Sequence, residues 1–247
     1  MTDLHLLPVR TGGAAENMAT DFLLLQRYPV IAPRFRHYRW RAPAFTFGFS
    51  QKIEFVRGAL PAGDRFDLCR RPTGGGVVDH RNDWTYALVI PRGHVLYDER
   101  AAQSYRVVHE CLAEALQALE QPAAVKTVCE PSEPVSGPGA AACASAGLPA
   151  GICFQRAELY DVINRDTGQK IAGAAQKRNK HGLLFQGSIE QGSVGPIAWD
   201  DFQIRFTAAL ARSLGAKAAE TPWPDLAEDE VIGLTDQYSA PEWNEYR

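Results

Sequence analysis

The sequence predicts an α+β (mixed α/β) fold, on three observations. Segments with period-two alternation, such as RFRHYRW (34–40) and AFTFGFSQ (44–51), gather around two glycine-rich runs. Stretches with apolar residues three and four apart stand separately from them, as in Glu99–Leu119. The 247 residues, 45% of them apolar, suffice to bury one sizeable core without staples. No internal repeat divides the chain, so the expectation is one domain over 1–247.

In order, NMATDFLLLQRY (17–28) reads as a helix, with Met18, Phe22 and Leu25 on one face. Two strands follow, parted by Pro43, the second aligning Phe45, Phe47 and Phe49. DLCRR leads into RPTGGGVVDH, and DWTYALVIP after it is a strand ending at Pro91. Glu99–Leu119 is the clearest helix: Tyr105, Val108, Leu112, Ala115, Leu116 and Leu119 trace a stripe, with Cys111 beside it. Pro, Gly, Ala and Ser then dominate, which predicts a long loop of weak order at about 130–150. YDVINRDTGQKIAG reads as a hairpin turning at RDTG, and GLLFQGSI as a short buried strand. AWDDFQIRFTAALARSLG is a further helix, with a shorter one near Leu226–Thr235.

The net charge of −3 gives no general reason to expect nucleic acid or a membrane surface as partner. No run has the length needed to span a bilayer, and MTDLHLLPVRTGG lacks the features of a signal peptide. Five cysteines without a CxxC resemble neither a disulfide framework nor a zinc site. The expectation is a cytoplasmic protein with no metal.

Four features can carry chemistry. The run RRPTGGGVVDH (70–80) matches neither a Walker A sequence nor GxGxxG. Consecutive glycines admit close approach of backbone to a ligand, and Arg70 and Arg71 are placed to hold a phosphate or carboxylate; a tight turn between strands is equally served by the same residues. His80 is a substrate-positioning candidate or a satisfied surface histidine. Cys153, in GICF, stands at a loop-to-strand junction that suits a nucleophile, or else packs beside Phe154. Cys129 and Cys143 are incidental, and Cys69 reads as strand interior. Lys170, before Ile-Ala-Gly, can orient an acyl carbonyl or a phosphate, or be an edge-strand lysine. Lys177, Arg178 and Lys180 form a local basic cluster that suits an acidic partner, or else is solvated charge.

Taken together, RHYRWRAPAFTFGFSQ, RRPTGGGVVDH, GICFQRAELYDVI and QKIAGAAQKRNKHGLLFQGSI resemble the lipoate–protein ligase and octanoyltransferase superfamily, which is related to biotin–protein ligase. The resemblance runs from about Asn17 to the C-terminus. It implies a central mixed sheet with packed helices and an acyl chain in a tunnel roofed by the glycine loop. It implicates Arg71, Thr73, Gly74, Gly75, Gly76, His80 and Gly173 in substrate binding and Lys170 in contacting the acyl carbonyl. Cys153 precedes Lys170 by 17 residues, an order that resembles the LipM type of octanoyltransferase, in which the cysteine comes before the lysine block. NRDTG departs from the pattern by lengthening the hairpin before Lys170.

The implied reaction passes an octanoyl group from octanoyl-acyl carrier protein, through a Cys153 thioester, to a lysine of a lipoyl domain or of the glycine-cleavage H protein. It needs no cofactor. Two alternatives share the residues: an ATP- and Mg-dependent lipoate ligase working through an acyl-adenylate, and a non-catalytic protein that binds an acyl group or its carrier.

Overall fold

The computed structural model describes residues 2–28, 30–63, 65–128 and 156–246. The expected loop at 130–150 and Cys129, Cys143 and Cys153 lie outside the described residues.

The chain begins with strand β1 (Thr2–Gly12) and helix α1 (Ala14–Gln26). Then come β2 (Arg34–Trp40), β3 (Ala44–Phe47), α2 (Ile53–Ala59), β4 (Asp67–Arg70), β5 (Val77–Asp79) and β6 (Asp83–Pro91). A one-turn helix α3 (Val95–Asp98) leads to α4 (Ala101–Gln117) and β7 (Ala123–Val125). The remainder is β8 (Val162–Asn164), β9 (Lys170–Asn179), β10 (Gly182–Glu190), α5 (Trp199–Ser213), β11 (Ala216–Glu220), α6 (Glu228–Ser239) and α7 (Pro241–Asn244). Among the described residues no helix is long and apolar enough to cross a membrane.

Eight strands form a mixed sheet in the order β11-β1-β2-β6-β10-β9-β8-β7, and three form a second sheet in the order β4-β3-β5. In the large sheet the β11–β1 and β1–β2 pairs are parallel, while the pairs from β2 through β7 are antiparallel. Alternation divides each strand between two faces. Trp84, Tyr86, Leu88 and Ile90 of β6 join Leu183, Phe185 and Ile189 of β10 against α4 and α5. Ala87, Val89 and Leu184 turn the other way, toward α1 and α6. On that second face, Gln186 and Ser188 continue the alternation of β10 as polar groups inside a buried strand.

The predicted mixed α/β class is observed. The helical stripe of α4 also holds, with Val108, Cys111, Leu112, Ala115 and Leu116 all buried. Three differences are physical. The segment AFTFGFSQ is a strand only to Phe47, because Gly48 and Phe49 leave it to bond the glycine loop, Phe49 N–H donating to Thr73 O at 2.8 Å. The N-terminal strand β1 and the short helix α2 were not expected; β1 carries Pro8 and shifts register between Leu7 and Arg10, which blurs its period. QKIAG is only the start of β9, a ten-residue strand that returns through Lys180 and His181 into β10.

At the end of β3, Gly48 lies directly against the loop between β4 and β5. A Cβ on Gly48 would stand 1.9 Å from Gly75 O, so any side chain there displaces the loop. Gly48→Ala is expected to cost about 1–3 kcal/mol of stability, in the manner of an overpacked core, measured by urea unfolding.

Candidate active site

Polar residues that the sequence scatters over 170 positions converge on the α1 face of the large sheet. Their floor is a single register row: Tyr38 pairs with Thr85, Thr85 with Ser188, and Ser188 with Gly173. Three interstrand steps make that row about 14 Å long. All four residues line a cavity of about 50 Å³, together with Met18, Thr46, Arg71, Gly75, His80, Lys170, Ala175 and Gln186 among others. Lys170 stands toward the β8 side of the row, where it pairs with Ile163.

The roof is the glycine loop, and Arg71 shapes it. Its Nη1 donates to Thr46 Oγ1 at 2.9 Å, and its Nη2 to Gly74 O at 2.8 Å and Gly76 O at 2.9 Å. Gly75, at φ +89°, makes the bend between those carbonyls, a conformation that glycine adopts without strain. Arg71 is thus a staple within the loop as well as a cavity wall.

Arg70 goes elsewhere. It is fully buried, and it donates to the backbone oxygens of Phe49, Gln51, Trp243 and Asn244. The expectation that it holds a phosphate or carboxylate is corrected: neighbours on a strand point to opposite sides, and this side faces the C-terminal segment.

Thr73 donates its hydroxyl to Gln186 Oε1 at 2.8 Å, and Gln186 Nε2 donates to Asp21 Oδ2 at 2.7 Å. Asp21 pairs with Arg36, Oδ1 to Nε 3.0 Å, in an ion pair whose angle is not that of a hydrogen bond. Arg36 also donates to Asn17 Oδ1 at 2.9 Å. Burial pushes the Asp21 carboxyl above its usual range, against the opposing pull of Arg36, Gln186 and Tyr38.

His80 is fixed at both nitrogens. Nδ1 lies 2.6 Å from Asp83 Oδ2 and Nε2 lies 2.7 Å from Thr46 Oγ1, while the ring stacks on Trp40 at 4.1 Å. An ionised Asp83 only accepts, so Nδ1 carries a proton; in the neutral ring Nε2 then accepts from the Thr46 hydroxyl. Thr85 and Ser188 donate to the same Asp83 oxygen. The surface alternative for His80 is overturned, since it is 7% exposed.

Lys170 and Asp161 form a buried pair, Nζ to Oδ2 2.7 Å. The lysine lies flat over Gly173, where a Cβ would meet Nζ at 2.7 Å and Cε at 2.8 Å. Gly173 is therefore the clearance that lets the ammonium reach the cavity. Of the expected residues, Arg71, Gly75, His80, Lys170 and Gly173 meet at the cavity. Thr73, Gly74 and Gly76 support it from behind, and Cys153 lies outside the described residues. Sequence reasoning missed Asp161, Tyr38, Thr46, Asp83, Thr85, Gln186 and Ser188. Only the polar pair in GLLFQGSI offered a signal.

The basic cluster does not share a face. Lys177 leans over the Phe49 ring at 5.6 Å, next to the glycine loop. Arg178 lies over Tyr97 at 5.4 Å, on the side where Gln176 bonds α4. Strand alternation separates them.

Residues 13–193 match the profile of the lipoyl protein ligase A/B catalytic domain. The chain belongs to that family. Octanoyltransferase LipM of Bacillus cereus is 31% identical over 180 residues, which is 71% of this lipoyl ligase-family chain and 60% of that protein. The chain therefore spans about 60% of that relative's length. Octanoyltransferase LipM of Macrococcus caseolyticus is 30% identical over 224 residues, 87% of this chain and 76% of that one. In fold, this member of the family is similar to a crystal structure of lipoate-protein ligase A bound with ATP, with TM-score 0.72, 19% identity and 99% of each chain covered. A lipoate protein ligase from Thermoplasma acidophilum gives TM-score 0.70 at 18% identity, covering 99% of this chain and 97% of that one.

Two consequences are measurable. Burial pushes the Cys69 thiol up to about 12 and the Cys111 thiol up to about 11, so neither is a thiolate near neutrality. Alkylation of the native chain near neutral pH should leave both unmodified in peptide mass spectra, whereas urea should expose them.

His37 and His109 are also buried, and desolvation holds both below the usual 6.5. The unfolded chain then binds more protons once pH falls through that value, so stability should drop on acidification below about 6.5. Urea midpoints across that range should show the fall, and His37→Gln should remove part of it.

Proposed function

We propose that this chain is an octanoyltransferase of protein lipoylation, working through a thioester on Cys153. The observation that carries the reading is the buried Lys170 ammonium, held by Asp161 at 2.7 Å beside a cavity under a glycine loop. The family match and the relatives named Octanoyltransferase LipM support it.

In the first step the Cys153 thiolate attacks the carbonyl carbon of an octanoyl thioester on acyl carrier protein. The carbon–sulfur bond to the phosphopantetheine arm breaks, the arm leaves as a thiolate that takes up a proton, and the octanoyl group is on Cys153. In the second step the neutral ε-amine of an acceptor lysine attacks that thioester. An amide forms, the amine loses its proton, and the Cys153 thiolate is released. The acceptor is a lipoyl domain or the glycine-cleavage H protein. Each step passes through a tetrahedral oxyanion, and a fixed ammonium beside the carbonyl stabilises it without reorganising.

An extended eight-carbon chain measures about 9 Å, seven bonds of roughly 1.5 Å in a zigzag, which fits along a row of about 14 Å. With its carbonyl at Lys170, the chain would run over Ser188 and Thr85 toward Tyr38. The proposed reaction uses no ATP or metal, since the donor thioester is already activated.

The deciding experiment mixes the chain with octanoyl-acyl carrier protein and measures intact mass. A gain of one octanoyl group, absent in Cys153→Ala, is expected, followed by its loss to an apo lipoyl domain. Retained activity of Cys153→Ala with lipoate and ATP would assign the chain to the ligases instead, and no acylation with either donor would leave a binding protein.

Lys170→Ala should slow transfer by about 10²–10³, as loss of one oxyanion donor does. Gly173→Ala should crowd both the far end of Lys170 and Asp161 Oδ1, which a Cβ would meet at 3.0 Å, and lower kcat by about 10-fold or more through misplacement of the ammonium.

A further inference from the structure

We propose that His109 is a positioning residue for the Lys170 ammonium, acting through the backbone of Tyr160 and the carboxylate of Asp161. Its catalytic meaning rests on the role given to Lys170 above; the geometry stands by itself.

Tyr160 has φ +69°, a left-handed backbone that a tyrosine adopts only under constraint. It occupies the third position of the turn Glu158–Asp161, closed by Asp161 N–H donating to Glu158 O at 3.1 Å. A positive φ at that position is the place of glycine in a type II turn. The turn sets the direction of the next side chain. Asp161 Oδ2 accepts from Glu158 N–H at 2.7 Å and meets Lys170 Nζ at 2.7 Å.

His109 holds this turn from α4. It is 1% exposed, and its Nδ1 lies 2.6 Å from Tyr160 O. A carbonyl only accepts, so Nδ1 carries the proton. In the neutral ring, which burial favours, Nε2 is then a bare acceptor, and among the described residues it has no hydrogen-bond partner. Burying a polar atom unpaired is unfavourable, and an apolar side chain would fill the same space without that cost. A histidine here is therefore explained by its one bond, to the carbonyl that a rotation of the strained peptide would carry away. Lys126 ties the same turn from the other side: its carbonyl accepts from Tyr160 N–H at 2.8 Å and its N–H donates to Asp161 O at 2.9 Å. The Tyr160 carbonyl is left to His109 among the described residues.

The test reads Lys170 directly. The full chain is treated briefly with acetic anhydride at one mildly alkaline pH, and acetylation of Lys170 is followed by peptide mass spectrometry, with thermal unfolding to verify folding. His109→Leu should raise Lys170 acetylation about tenfold, because a lysine no longer held against its carboxylate is more open to the reagent. His109→Gln, which keeps an N–H donor, should restore the wild-type rate. In a Tyr160→Gly background, where the left-handed backbone needs no support, His109→Leu should change the rate less than about twofold, the signature of coupling between the two positions. If His109→Leu alone does not fold, the Gln variant and the double variant carry the test. The proposal is overturned by a folded His109→Leu with unchanged Lys170 acetylation, by a Gln variant as altered as Leu, or by a full effect of Leu in the Tyr160→Gly background. Octanoyl transfer, measured in parallel, should lose kcat with little change in KM for the carrier. A wild-type chain that shows the acetylation pattern but transfers nothing would refute the transferase reading and leave the positioning role intact.

Discussion

The guanidinium of Arg71 ties the glycine loop to the small sheet. It reaches the hydroxyl of Thr46 on the small sheet and two carbonyls of the glycine loop. Thr46 in turn meets His80, which meets Asp83, so the loop and the start of β6 are set by one chain of contacts. The planar fork of arginine suits this geometry, because its donors leave in fixed directions; a lysine would supply charge but not the angles. Loop and cavity depend on it together.

Below the loop lies a second constraint of a different kind. Asp21 and Arg36 are buried almost completely, with Asn17, Tyr38 and Gln186 around them. A buried ion pair of this sort contributes little net stability, because desolvation opposes the attraction, but breaking one side is expensive. What it provides is a fixed arrangement of polar atoms on an otherwise apolar face. Through Gln186 and Thr73, that arrangement reaches the loop. The cavity is thus bounded by groups whose positions are set by hydrogen-bond geometry, which tolerates less drift than hydrophobic packing.

How much of this was legible in the sequence follows from the range of the forces involved. Glycine runs, a lysine before Ile-Ala-Gly and apolar stripes are local patterns, and they located the loop, Lys170 and the helices. Arg70 and Arg71 are identical neighbours, and only their strand environment separates the structural one from the one at the cavity. The split of Lys177 from Arg178 was readable, since a strand with period two must part adjacent residues. Tyr38, Thr85 and Ser188 were not, because cross-strand register brings them into line and no spacing in the sequence encodes it. Asp161 was hidden for another reason: its reach to Lys170 depends on the left-handed backbone of Tyr160, a conformation that tyrosine does not advertise.

The anchorage of Arg70 bears on how the protein comes to be made. Its partners Trp243 and Asn244 follow it by 173 and 174 positions. A ribosome extends a chain at about 5–20 residues per second, so the arginine emerges well before two of the four carbonyls that will hold it. Until then Arg70, the residue before Arg71, lacks the Trp243 and Asn244 carbonyls that close over it. A chain cut before Trp243 would hold Arg70 by the Phe49 and Gln51 carbonyls alone, and the glycine loop beside it would stand on a half-made anchor.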